Sequence, residues 1–307
     1  MSAALPFPQI LTVLCDGTPP LEQVLGVLSR IGAQPRPEPR GSGWTLGYPG
    51  VLVPGGPDLP GVFVDILPVP WPDGLGARDE DAELRTAALQ GAFGPAPAPG
   101  ALARATTHAA HWPEAAAAVA THSTVLRIRT SPHFPGAPAS PAATWRHLTG
   151  IGLLLLSLPG ATAWFAPQGE VLHSRTTLLP ILQRAQAADH QPVDAWTGLR
   201  FFRLGDADGW AVMDVVGMSI LDGIDAEFCF RPDDLDPREA GAFLRNVTLY
   251  LLDSDKPVDE GHTLEGPDMR VRVTRPERCL VAPSRPVLRL VPMAGRPLPA
   301  VLGGPAA

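Results

Sequence analysis

The stretch MDVVGMSILDGIDAEFCF, residues 213–230, limits the fold more than any other segment of this chain. It opens as a continuous apolar run, breaks at Gly217, resumes through Met218 and Ile220, and breaks again at Asp222-Gly223. It then alternates, with Ala226, Phe228 and Phe230 two residues apart. Successive side chains on a strand point to opposite faces, so that spacing sets the three on one face. The unbroken run WAVMDVVGM predicts a strand covered on both sides. A glycine at its end predicts a break or bulge. The segment therefore reads as two buried strands joined by a turn, and not as a site.

One strong helix follows. In DLDPREAGAFLRNVTLYLLDSD, Asp236 is placed as the N-cap, Pro237 as the first helical residue and Glu239 as the partner in a capping box. Ala240, Phe243, Leu244, Val247 and Leu251 recur at helical spacing and predict its buried stripe. The strands MRVRVTR and VLRLVP come next. Arg270, Arg272 and Arg275 in the first read as one solvated strand face.

This order of elements, with its particular residues, resembles the bacterial family called domain of unknown function 4261. The resemblance spans roughly residues 216–292. It rests on Gly217-Met218, the segment LDGIDAEF, the helix with Asn246, Tyr250 and Leu251, and DEGHTL ahead of the closing strands. Upstream, Trp112, ATHSTVLRI and the pair GATAWF and GEVLHS look like the N-terminal part of such proteins. The resemblance implies an accessory protein of conflict or secretion loci, of immunity type, and brings no catalytic or ligand residues with it.

The first part of the chain alternates strand and helix. QILTVLCD reads as a strand. PLEQVLGVLSRIG reads as a helix, with Leu21, Val24, Leu25, Leu28 and Ile31 at helical spacing and Gly32 ending it. GWTLGY and GVFVDILPV are expected strands, and DEDAELRTAALQGAF an expected helix. GPAPAPGALA reads as a stiff, exposed connector. PEAAAAVATH predicts a short helix starting at Pro113. STVLRIRT, ATAWFA and GEVLHS predict strands, and TWRHLTGIGLLLLSL and TTLLPILQRAQAADH predict helices.

The expected class is α+β: antiparallel sheets covered by helices, in two ferredoxin-like or related parts. The expected division is an N-terminal region over 1–195, a C-terminal domain over 196–294 and a flexible Pro/Gly tail over 295–307.

Composition removes several functions. A hydrophobic content of 45% supplies a core, and a net charge of −7 lacks the basic footprint of a nucleic-acid binder. Pro159-Gly160 cuts the most apolar stretch, IGLLLLSLPGATAWFA, below the roughly 20 residues of a membrane span. The three cysteines, Cys15, Cys229 and Cys279, are far apart and form no CxxC pair. That pattern fits a reducing cytoplasm without disulfides.

Candidate chemistry is sparse. Cys15 ends a strand ahead of a helix, where a thiol can be activated. CDGTPPL, however, carries Leu21 where a phosphatase loop needs arginine, so a buried structural thiol is expected. His108, His111 and Glu114 in HAAHWPE, with His122 nearby, are the metal-ligand candidates. Pro113 biases Trp112 away from helix, and on extended backbone His108 and His111 point to opposite faces. No metal or cofactor is expected. GDADGW fails as a calcium loop, since Gly217 falls where its glutamate belongs, and reads as a hairpin turn.

The expected role is therefore non-catalytic: a cytoplasmic binding or interaction protein whose partner is another protein, with no nucleic acid and no membrane. The alternatives are an enzyme of undetermined class, for which a metal at His108 and His111 is the candidate chemistry, and an oligomeric scaffold subunit. The candidate interaction residues are Asp253, Asp255, Asp259 and Glu260, in the acidic loop after the strong helix.

Overall fold

The run ILTVLC forms strand β1 (Ile10–Cys15), and all of its residues are buried because both faces of its sheet are covered. It belongs to a computed structural model that describes residues 8–36, 43–44, 49–77, 81–95, 97–131, 140–205, 209–254, 257–267, 269–295 and 298–302. The chain divides into two units, Met1–Trp196 and Thr197–Ala307.

In the first unit β1 leads to α1 (Leu21–Leu28) and strands β2 (Gln34–Pro35), β3 (Gly50–Val53) and β4 (Val62–Leu67). Helices α2 (Ala82–Leu89), α3 (Ala101–Thr107) and α4 (Ala115–Thr121) follow, then β5 (Thr124–Thr130) and α5 (Pro141–Leu155). The unit closes with β6 (Ala161–Ala166), β7 (Val171–His173), α6 (Arg175–Ala187) and α7 (Val193–Trp196). The strands form one sheet in the order β2-β3-β4-β5-β1-β6-β7, antiparallel at every step.

Helices α1 and α5 lie on one side of this sheet. Gly152 of α5 sets that approach, since a Cβ there would lie 2.5 Å from the Trp164 ring and 2.9 Å from Leu11. On the other side, Leu14, Leu67, Val125, Ala163 and Phe165 pack with Trp44, Trp71, Phe93, Leu102 and Trp112. Trp71 meets Phe93 and Phe165 edge to face, at centroid distances of 5.4 and 5.3 Å.

Two expectations for this unit are corrected. GPAPAPGALA does not end as an exposed connector, because α3 begins at Ala101 and both Ala101 and Leu102 are buried. Its first N–H groups, from Leu102 and Ala103, donate to the Asp73 carboxylate at 2.7 and 3.0 Å. A cap supplied from that distance along the chain leaves no local signature. Helix α4 begins at Ala115, with Glu114 and not Pro113 at its boundary. The expected strand GWTLGY lies outside the described residues except for Gly43 and Trp44, which are in a turn.

The second unit holds β8 (Gly198–Arg203), β9 (Ala211–Val216), β10 (Asp225–Phe230), α8 (Pro237–Asp253), β11 (Thr263–Gly266), β12 (Met269–Thr274) and β13 (Val287–Pro292). Its sheet runs β11-β12-β13-β10-β9-β8, and only the β10–β13 step is parallel. Strand β9 is buried throughout, and Gly217 ends it at φ +107°, a conformation that favours glycine. A short 3-10 turn, Met218–Leu221, carries the chain into β10.

Helix α8 sets Ala240, Phe243, Leu244 and Val247 against Ala211, Met213, Val215, Ala226, Phe228, Leu288 and Leu290. The expected capping box is not formed, because among the described residues the Glu239 side chain makes no bond back to the Asp236 N–H. Asp236 accepts from the N–H of Arg238 at 2.7 Å, not from that of Glu239. On β12, Val271 and Val273 are buried while Arg270 and Arg272 face water.

Of the stretch expected as a tail, Leu298 and Leu302 pack with Trp210, Val212, Cys229 and Val291. Residues 296–297 and 303–307 lie outside the described residues, as do residues 206–208 of the GDADGW turn. The protein is thus α+β, with two mostly antiparallel sheets covered by helices. Among the described residues no helix is long and apolar enough to cross a membrane.

Candidate functional site

Both sheets carry charge inside strands that otherwise read as core. In the first unit Asp65 sits within VFVDIL of β4, and Arg127 and Arg129 within TVLRIRT of β5. The register sets Asp65 opposite Arg127 and Phe63 opposite Arg129. Arg127 donates from Nε and Nη2 to Oδ2 of Asp65, at 3.0 and 2.8 Å. Its Nη1 donates to the carbonyls of Trp44 and Ala92, at 2.7 and 3.0 Å. Arg129 donates from Nε to the same Oδ2 at 2.7 Å, and Arg36 from Nη1 to Oδ1 at 2.5 Å.

Phe63 lies under both outer arginines, with Arg36 and Arg129 4.7 and 4.9 Å from its ring centroid. Burial pushes the Asp65 carboxyl up, but Arg127, Arg129 and Arg36 outweigh it and hold the group below the usual carboxylate range. Arg127 and Arg129 also line a cleft of about 70 Å³, with Pro8, Trp44, Gln90, Gly91 and Ala92 around it.

The second unit builds a different cluster on the sheet face away from α8. Arg200 of β8 forks onto Asp214 of β9, from Nε at 3.0 Å and Nη2 at 2.6 Å. Arg285 joins Asp214 at 2.5 Å and also pairs with Asp225 of β10. The second oxygen of Asp225 accepts from the N–H of Met218 at 2.7 Å. Arg289 of β13 meets Glu227 at 2.6 Å, and Glu227 also accepts from the N–H of Leu280 at 3.0 Å.

The segment between β12 and β13 covers this face, and the arginines hold it there by its carbonyl groups. Arg200 donates to Ala282, Arg285 to Pro283 and Arg289 to Arg278, at 2.9, 3.0 and 3.1 Å. Burial opposes the charge on Arg285, but Asp214 and Asp225 outweigh it and raise its pKa above the ordinary arginine value. Burial raises the Glu227 carboxyl despite the Leu280 N–H and Arg289.

The sequence-predicted residues fall elsewhere. His108 ends α3, and Glu114 is exposed at the start of α4. His111 meets a residue far along the chain: its Nε2 lies 2.9 Å from Nδ1 of His173 and 3.2 Å from the Leu172 carbonyl. Nε2 of His173 lies 3.0 Å from the Asp194 carbonyl. A carbonyl only accepts, so His173 carries its proton on Nε2 and takes the His111 proton at Nδ1. The imidazole nitrogens that meet are engaged with one another. Among the described residues no three His, Cys, Asp or Glu side chains are grouped closely enough to hold a metal ion.

Trp71 donates its N–H to Nε2 of His122 at 3.0 Å, and Nδ1 of that ring meets the Val119 carbonyl. Burial pushes the Cys15 thiol up to about 12, and pushes the Cys229 thiol up as well. Asp253, Asp259 and Glu260 are exposed, and Asp255 lies outside the described residues. Asp259 pairs with Arg275 at 3.2 Å.

Sequence reasoning passed over both ion clusters. The available signal was one or two charges inside apolar strands, with opposite signs on the neighbouring pairs β4 and β5, β8 and β9, and β10 and β13.

Comparison with curated proteins found no match, and comparison with solved structures found none. Residues 214–291, which run from β9 into β13 and include Asp214, Asp225, Glu227, Arg285 and Arg289, match the family described as Domain of unknown function (DUF4261).

Proposed function

We propose that the chain is a binding protein without catalytic chemistry of its own, an accessory or immunity-type partner of another protein in a bacterial cytoplasm. The use made of its reactive side chains carries this reading. The Cys15 and Cys229 thiols are buried and hard to ionise, and His122 and His173 hold backbone groups. The carboxylates inside the second unit each face an arginine. Groups held in this way stabilise structure and are poorly placed to move protons or attack a substrate. Three free cysteines fit a reducing compartment.

The surface this reading assigns to the partner is the end of α8 and the loop after it. Tyr250 is 47% exposed, and Asp253 lies one turn further on. Asp259 and Glu260 add exposed carboxylates. Exposed carboxylates suit a basic partner, which such groups attract over distance in a salt-dependent way.

The test is capture from the native host at low and high salt. It compares the wild type with a variant neutralised at Asp253, Asp255, Asp259 and Glu260. The expected result is a partner held by the wild type at low salt, lost at high salt and lost in the variant. Equal recovery under all conditions removes these loops from the interface.

A further inference from the structure

We propose that the cleft beside Arg127 and Arg129 binds a small oxyanion, the phosphate or carboxylate group of a soluble ligand. The donors come first. A guanidinium carries five N–H groups. Arg129 commits Nε to Asp65, and its Nη1 and Nη2 make no hydrogen bond among the described residues. Arg127 is almost fully buried, yet it lines the same cleft.

Charge is the second argument. Arg127 and Arg129 converge on one oxygen, Oδ2 of Asp65, so two cations share a single anionic acceptor. Cations gathered around so little negative charge repel one another, and the repulsion is stronger where water is sparse. An anion in the cleft reduces that repulsion and supplies acceptors to the terminal N–H groups of Arg129. The buried cluster of the second unit has no such vacancy for charge, because each of its arginines has a carboxylate of its own.

Shape is the third argument. A volume of about 70 Å³ is several times the roughly 10–15 Å³ one water needs, and it suits a compact charged group. Trp44 and Pro8 supply apolar wall, which keeps the local dielectric low. Guanidinium groups recognise phosphate and carboxylate by paired N–H donors, so the site selects an oxyanion over chloride.

The experiment uses the full chain. It is titrated separately with inorganic phosphate and with acetate at constant ionic strength in chloride, and read by calorimetry and melting temperature. The expected result is saturable binding of at least one anion, with the stronger one showing which group the site prefers. Arg129→Gln is expected to bind about tenfold more weakly while keeping the wild-type circular dichroism spectrum.

A second readout needs no variant. Phenylglyoxal labels accessible arginines in the wild type, and peptide mapping follows Arg129, whose side chain is 17% exposed. Arg129 should be labelled in chloride and protected by the anion that binds. The proposal is overturned if neither anion saturates, if Arg129→Gln binds as tightly as the wild type, or if labelling of Arg129 is the same with and without anion.

Discussion

In the first unit three guanidinium groups share the Asp65 carboxylate, whereas in the second Arg200, Arg285 and Arg289 meet Asp214, Asp225 and Glu227. Taking an ion out of water costs several kcal/mol, and a partner offsets that cost only when geometry and hydrogen bonds are good. In the second cluster the Arg200 and Asp214 side chains are both 0% exposed, while Arg285 keeps 13%. The first cluster seals Arg127 and Asp65 in the same way and reaches solvent through Arg36 at 13% and Arg129 at 17%. Each cluster thus has a sealed ion pair at its centre and an arginine at its rim, and among the described residues they differ in how many carboxylates the arginines share. One arrangement is a structural clasp, and the other retains capacity for a further anion.

The sharpest way to break this comparison is to remove one guanidinium from each cluster. Arg200→Gln leaves Asp214 with Arg285 alone in a buried site and frees the Ala282 carbonyl. It is expected to cost about 3–5 kcal/mol in urea denaturation. Arg129→Gln leaves Asp65 with Arg127 and Arg36 and relieves repulsion between neighbouring cations. It is expected to cost about 1 kcal/mol or less. Equal costs would show that the imbalance of charge has no energetic meaning.

Why these clusters escaped the sequence reading is a matter of what local patterns encode. Apolar periodicity exposed β9, β10 and the buried stripe of α8 because burial of those residues depends on their near neighbours. The same period treats Asp214, Glu227 or Arg289 as an interruption in a run. Nothing local says that residues 62 apart, Arg289 and Glu227, will share a buried face. The cap of α3 comes from Asp73 and the partner of His111 is His173, and both pairings exist only once the chain has folded. What remained legible was what is encoded within about one turn or one strand.

Acid should separate the units by sign. Among the described residues Nε2 of His147 is buried without a hydrogen-bond partner, and burial holds its pKa below the ordinary histidine value. Burial lowers His111 as well, despite the Leu172 carbonyl and Asp194. The unfolded chain then takes up protons first as pH falls below about 6.5, so these groups withdraw stability from the first unit in acid. Glu227 has the opposite sign. Its raised pKa means that the folded state binds the proton first, which adds stability as pH falls through that value. Hydrogen exchange at pH 7 and pH 5, corrected for intrinsic rates, should show peptides of the first unit losing protection and those around Glu227 keeping it. Loss of protection around Glu227 alone would reverse the assignment.

The smallest effect calibrates the scale, because it concerns a carboxylate outside either cluster. Asp236 is exposed, and its side chain accepts from the N–H of Arg238, which the first turn of α8 leaves without a helical acceptor. Asp236→Ala removes that acceptor and is expected to cost about 1 kcal/mol in a thermal melt. Asp236→Asn keeps an oxygen in place and loses only the charge near the helix start, so it should stay within a few tenths of wild type. If both variants lose the same amount, attraction to the helix dipole outweighs the hydrogen bond at this end. If neither loses stability, α8 is held by its apolar stripe alone, and even a well-placed surface carboxylate contributes nothing beside the buried ones.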